Sequence, residues 1–262
     1  MKKKLIIKQT KARLSSFIFP IVLLLVWQFI SSAGYASSAV VPSPNKVLKT
    51  FQILLTEQTF FLNISASLKR VMIGFLIGSS TGFLFGLLMG LSRTAEKIFA
   101  PSFHTVRQVP MIGWIPLIVM WFGMTELPRI LIISIAAFYP ITLNTFDGVR
   151  SVPREYLELA SVYGYNRFKL IRRIILPAAL PSIITGLTLS LGMSWAILMA
   201  AEIFIQTEFG IGTQIQMGRQ RFNMPLVITG ILTVGLLGFV MTIIIEKFAR
   251  IVDRGRAIGN ET

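Results

Sequence analysis

The chain has 262 residues, 53% of them hydrophobic and only 14% charged, with a formal net charge of +15 and a mean hydropathy of +0.70. A composition this apolar excludes an ordinary soluble domain and points to an all-α integral membrane protein. There is no cysteine, so disulfides, thiolate metal sites and cysteine redox chemistry are excluded.

A large positive charge can mark nucleic-acid binding, but in a membrane protein it more often reflects Lys and Arg gathered in cytoplasmic loops. Here the cations are spread over separated segments between apolar runs, so no nucleic-acid partner is expected. At the start, Lys2, Lys3, Lys4, Lys8, Lys11 and Arg13 precede the apolar run 17–30. This reads as a cytoplasmic tail and a first span. A cleaved secretory leader is the rival reading, because small residues follow at 31–39, and the polytopic remainder favours the uncleaved anchor.

Residues 43–55 set Lys46 and Lys49 among Val47, Leu48, Phe51, Ile53 and Leu54, which predicts a short amphipathic helix on the outer surface. Further apolar stretches at 71–91, 103–122, 130–146, 178–204 and 226–245 bring the expected total to about six transmembrane helices. With the N-terminus inside, most Lys and Arg fall on inner segments, so both termini are expected in the cytoplasm. Lys69, Arg70 and Arg129 then belong to outer segments.

The second span carries Gly74, Gly78, Gly82, Gly86 and Gly90. At that spacing they line one helix face, where another helix backbone can approach closely, in this subunit or a second. A substrate-lining groove is the alternative.

Little in the chain supports catalysis. No Gly-Lys pair is present, so the phosphate-cradling loop is missing. The single histidine, His104, cannot build a metal site alone, and reads as a packing or interfacial residue near the inner end of the third span, with proton handling as the alternative. Glu202 is either an outer-interface residue or a functional one, since an ionisable group near apolar surroundings needs a partner or solvent. Asp147 reads as a solvated boundary residue. An ion-driven transporter would show buried acids or broken helices in a repeated arrangement, and no convincing repeat is visible.

The segment from 154 to 168 has Pro153 at its first turn and an apolar set of Tyr156, Leu157, Ala160, Tyr163 and Phe168, predicting a short cytoplasmic amphipathic helix. Gly164 permits tight packing or a turn. Arg167, Lys169, Arg172 and Arg173 anchor the return to anionic headgroups, and Pro177 and Pro181 mark an irregular start to the fifth span. Such a loop is a docking site for a soluble partner or an ordinary positively charged loop.

Glu158, Ala160, Gly164, Ile174, Leu176 and Pro177 match the pattern E-A-A, three residues, G, nine residues, I-x-L-P. This resembles the signature loop of permease subunits in bacterial binding-protein-dependent ABC importers. The chain departs from it at Leu159, where the pattern has alanine, and at Tyr165, where a small residue is common. The resemblance covers the chain from about residue 65. "RQVPMIGWIPLIVMWFG" (107–123), "SWAILMAAE" (194–202) and "GIGTQIQMGRQRFN" (210–223) look like the branch serving nitrate, taurine and aliphatic sulfonates.

The resemblance implies a type I ABC importer (MetI-like) transmembrane domain over 65–262 with a cytoplasmic coupling loop at 148–177, preceded by a tail, span and outer helix in 1–64. It also implies a bacterial cell membrane, surrounding lipid, a second, identical permease copy, a cytoplasmic ABC ATPase dimer and an extracytoplasmic substrate-binding protein. ATP and Mg would be bound by the ATPase, with no cofactor, metal or catalytic residue in this chain. For the substrate path, Met193, Trp195 and Glu202 in the fifth span, Trp114 and Trp121 in the third, and Arg107 for an anionic cargo are the candidates; core and interface-belt packing is the alternative for the aromatics. An ion-coupled transporter or channel without an ATPase, and a membrane scaffold, are the competing functional classes.

Overall fold

The structure is a computed structural model and describes residues 18–33 and 40–259. The basic head before residue 15 and most of the small-residue stretch at 31–39 lie outside the described residues. Helices account for nearly all the described chain, and no strand occurs among the described residues. They are α1 (Ile18–Ser32), α2 (Pro44–Leu54), α3 (Gln58–Leu91), α4 (Arg93–Val106), α5 (Met111–Phe122), α6 (Glu126–Arg150), α7 (Arg154–Val162), α8 (Arg167–Leu170), a π-helical turn (Ile171–Ile175), α9 (Leu176–Phe204), α10 (Ile211–Gln220) and α11 (Met224–Gly259).

Four described helical stretches are long and apolar enough to cross a bilayer: Gln58–Leu91, Glu126–Arg150, Arg167–Phe204 and Met224–Lys247. A fifth is reached if α4 and α5 count as one broken span. The described α1 is apolar but has 15 residues, a rise of about 22 Å against a hydrocarbon core of about 30 Å.

The expected third span, 103–122, is not one straight helix. Its two halves meet at a bend of 95°. Pro110 has no N–H to continue α4 and disfavours helical backbone at Val109, so the chain turns there and α5 starts afresh at Met111. The second span also differs: α3 begins at Gln58 rather than 71, because Phe60, Phe61, Ile64 and Leu68 continue the helical apolar spacing with no proline or glycine to break it. Lys69 and Arg70 therefore lie within a helix, not in an outer loop.

The structure divides into two compact units. One gathers the described residues up to Phe61 with Gln214–Thr233. In it the Trp27 indole N–H donates to the Pro42 carbonyl at 3.0 Å. Ser43 caps α2, with Pro44 in its first turn, and Val47 and Leu54 are buried. Phe60 meets Phe51 edge-on at 6.2 Å between ring centroids.

The other unit covers Leu62–Thr213 and the chain from Val234, and α6 is its central helix. The glycine ladder of α3 lies against one side of α6. A Cβ on Gly74 would stand 2.7 Å from Ile133 Cβ, on Gly82 2.7 Å from the Phe138 carbonyl oxygen, and on Gly90 2.7 Å from Val149 Cβ. Thr142 Oγ1 donates across this contact to the Gly82 carbonyl at 3.1 Å. The ladder is thus a helix-packing surface, and its partner belongs to the same chain. On another side, α9 approaches α6 through Gly148, Ala179 and Gly186, and Ser190 Oγ donates to the Ala137 carbonyl at 2.7 Å.

Two apolar clusters fill this unit. One joins Ile115 and Ile118 of α5 to Ile132, Ile133, Ile197 and Leu198. The second surrounds Ile141, Val149, Ile175, Ala179 and Ile183 near the loop at 148–177.

Candidate functional site: a protruding loop and a buried ion-pair cluster

The loop begins where Pro153, unable to donate, starts α7. The helix ends at Val162, short of the expected Phe168, because Gly164 takes φ 66°, the left-handed region that favours glycine. The Gly164 N–H donates to Ser161 O at 3.0 Å, and the Tyr165 N–H donates to Ala160 O at 3.0 Å. These two bonds form a Schellman motif. Gly164 is a turn glycine with open space around it; no atom lies within 4 Å of the position its Cβ would take. Asn166 then caps the next helix, its Oδ1 accepting from the Lys169 N–H at 2.9 Å. From Arg167 the chain is helical through the π turn to Phe204. Pro177 cannot supply the hydrogen bond that a regular turn would require, so the wider turn stands immediately before it.

The six signature residues divide between two jobs. Ala160 is buried, while Ile174 and Leu176, with Leu157, pack against the second apolar cluster. Those side chains fasten the loop to the span ends. Glu158 and Gly164 are exposed, and Pro177 is half-buried. Tyr156, Leu159, Val162 and Tyr163 are exposed too, Val162 at 83% and Tyr163 at 72%. Their spacing puts Tyr156, Leu159 and Tyr163 on one face of α7. The result is a braced helix showing an uncovered apolar face.

At the other end of the 167–204 stretch, Glu202 is completely buried. Its carboxylate accepts from Ser67 Oγ at 2.8 and 2.9 Å, from Arg70 Nη1 at 2.7 Å and from the Gly212 N–H at 2.8 Å. Arg70 also reaches Glu126 through Nε at 2.8 Å and Nη2 at 2.7 Å. Arg129 Nη1 lies 2.9 Å from Glu126. The two cations and two carboxylates balance, and each buried charge is paired, as an apolar environment requires.

The same cations hold the turn after α9. Arg70 Nη1 donates to Phe209 O at 2.7 Å, and Arg129 Nη2 donates to Gln206 O at 2.7 Å. The Ile211 N–H donates to Ser67 Oγ at 3.0 Å. A Cβ on Gly210 would come within 2.7 Å of the Glu202 carboxylate, and one on Gly212 within 2.7 Å of Glu202 Cβ. Close backbone approach to the carboxylate is what these two glycines permit.

The sequence nominated Glu202 but none of its partners. Arg70 reaches it from a helix far away in the chain, and Glu126 and Arg129 join the cluster through Arg70 and Glu126; the available signal is that an acid in apolar surroundings demands a cation.

The other path candidates are dispersed. Trp114 and Trp195 both pack on the first apolar cluster, and the Trp195 indole donates to Val234 O at 3.2 Å. Trp121 and Met193 are exposed. Arg107 is exposed where α4 ends at the elbow. His104 is half-buried on α4 beside Phe103, and Asp147 is exposed. No group of three His, Cys, Asp or Glu suited to a metal occurs among the described residues.

Residues 59–257 match the family described as binding-protein-dependent transport system inner membrane component. The chain is 34% identical over 241 residues to a putative aliphatic sulfonates transport permease protein of Bacillus subtilis, covering 92% of this chain and 86% of that one. It is 32% identical over 234 residues to the taurine transport system permease protein of Escherichia coli, covering 87% and 85%. A solved structure of the MetNI methionine ABC transporter in inward-facing conformations shares the fold, with a TM-score of 0.62 at 18% identity over 75% of this chain and 99% of that one. A multi-pass helical chain with this loop and these relatives belongs to the binding-protein-dependent transport system inner membrane component family, as a permease subunit of an ABC importer.

Proposed function

We propose that this permease imports a small oxyanion, with aliphatic sulfonates, taurine and nitrate as the candidate cargoes, and is driven by a separate ATPase docked on α7. The observation that carries the coupling role is the set of Tyr156, Leu159, Val162 and Tyr163: apolar, exposed and mounted on a helix anchored to the fold through Leu157 and Ala160. An uncovered apolar face on a stiff mount suits a protein partner. The relatives' names support the cargo class.

In this reading two copies of the chain form the path, with both termini in the cytoplasm, and an extracytoplasmic binding protein delivers the cargo. ATP and Mg bind in the ATPase dimer. Closure of that dimer draws the two α7 helices together, and the helices fastened behind them carry the path from inward-open to outward-open. A partner shifts such an equilibrium only through contacts that differ between the states. Arg107 would serve an anion near the elbow. Glu202 acts as a structural fastening, because its carboxylate is already engaged by Ser67, Arg70 and Gly212. That engagement argues against ion-coupled transport through this acid.

Purification of the tagged chain from its native membrane, with partners identified by mass spectrometry, tests the assignment. A stoichiometric P-loop ATPase is expected, together with ATP-dependent uptake of sulfonate, taurine or nitrate in proteoliposomes supplied with the binding protein. Uptake by the chain alone under an ion gradient would replace this reading with the ion-coupled one.

A further inference from the structure

A cavity of about 840 Å³ opens where three membrane-spanning stretches end together. Gly90 and Leu91 end α3, Val149 and Arg150 end α6, and Arg167 starts α8; Arg154 and Leu157 of α7 line it as well. Its position at the span ends places it at the level of the lipid headgroups. The volume is in the range of small-ligand sites, about 300–1,000 Å³.

Four guanidinium groups line this one space: Arg93, Arg150, Arg154 and Arg167. Arg150 is paired with Glu96. Arg93, Arg154 and Arg167 have no ion-pair partner among the described residues, and all three are exposed to an approaching ligand. Glu155 and Glu158 of α7 do not line the cavity. α7 itself starts at this cavity, and its N-cap, Pro153, offers no side-chain oxygen to the first helical N–H groups. Unneutralised cations beside an uncapped helix N-terminus form an electrostatic concavity selective for anions. Guanidinium forks match the paired oxygens of a phosphate.

We propose that this cavity binds a phosphate oxyanion, supplied as an anionic phospholipid headgroup or as free phosphate. Its occupant joins Arg154 on α7 to Arg93 and Arg167 beside the span ends, and so stiffens the seat of the coupling helix. Basic pockets at span ends recruit anionic lipid by the same physics.

The test uses the full chain in nanodiscs of phosphatidylcholine, with and without phosphatidylglycerol, followed by hydrogen exchange and native mass spectrometry. Phosphatidylglycerol is expected to slow amide exchange in α7 and to remain bound to the chain. The combined Arg93→Gln, Arg154→Gln and Arg167→Gln variant should weaken retention on the order of 100-fold, and Arg154→Gln alone about fivefold. The Arg219→Gln/Arg221→Gln control, exposed and outside the cavity, should retain the lipid.

A second arm adds inorganic phosphate to phosphatidylcholine nanodiscs. Equal protection there, lost in the triple variant, supports the site and assigns it to soluble phosphate. The proposal is overturned if neither probe protects α7, or if cavity and control variants lose lipid alike. Arg154→Gln, a single change of an exposed side chain, keeps the test open should the triple variant misfold.

Discussion

Replacing Arg70 by alanine tests whether the ion-pair cluster holds the unit together. The change removes two hydrogen bonds to Glu126, one to Glu202 and one to Phe209 O. It leaves the fully buried Glu202 carboxylate with only Ser67 and the Gly212 N–H. Breaking a buried pair by removing one partner costs about 3–5 kcal/mol. For a chain of this size each kcal/mol lowers the unfolding midpoint by roughly 2–4 °C, so a fall of roughly 6–20 °C is expected by intrinsic fluorescence in a fixed detergent. The paired variant Arg70→Met/Glu202→Met should recover most of the loss, because no unpaired charge remains at Glu202. With Arg70→Met and Glu202→Met as the single variants, the double variant closes a thermodynamic cycle. A midpoint within 2 °C of wild type for Arg70→Ala, or strictly additive losses in the cycle, would refute the reasoning.

Gly164→Asp should insert normally yet lose the co-purified ATPase: Asp tolerates the left-handed backbone, but its carboxylate enters the docking surface. Gly164→Asn, which tolerates that backbone and adds no charge, should keep part of the ATPase; full recovery of ATPase with both variants would remove Gly164 from the interface. Gly82→Val forces side-chain atoms against Ile141 and the Phe138 carbonyl and should destabilise by about 1–3 kcal/mol, whereas Gly113→Ala, with nothing within 4 Å of its Cβ position, should be neutral at that contact. Equal unfolding midpoints for the two would contradict the ladder's role. Arg107→Ala should raise the KM for an anionic cargo about tenfold, the equivalent of one charge-assisted hydrogen bond; unchanged uptake takes Arg107 out of the path.

Local pattern revealed some features and not others, for physical reasons. Five glycines four residues apart announce a close helix contact, and the structure supplies α6 as the neighbour. Pro153 marks the start of α7, while its end at Val162 is not legible in the sequence, because Gly164 is compatible with packing as well as turning. Pro110 sits inside an apolar run long enough to span, and hydropathy averaged over that run hides the break it causes. The Arg70, Glu126, Arg129 and Glu202 cluster is the least legible feature. Its members come from three separate helices, and periodicity reports only which residues share a face of one helix.

The helical stretch from Arg167 to Phe204 has 38 residues, which makes a rod of about 57 Å. Its far end is tied down through Glu202, and its near end follows the loop of α7. As a lever arm held at one end, it converts a tilt of about 1° into roughly 1 Å of travel at the other. A partner that moves α7 by a few ångströms therefore asks only a few degrees of the rod, a rotation small enough for the packed glycine and alanine contacts with α6 to survive intact.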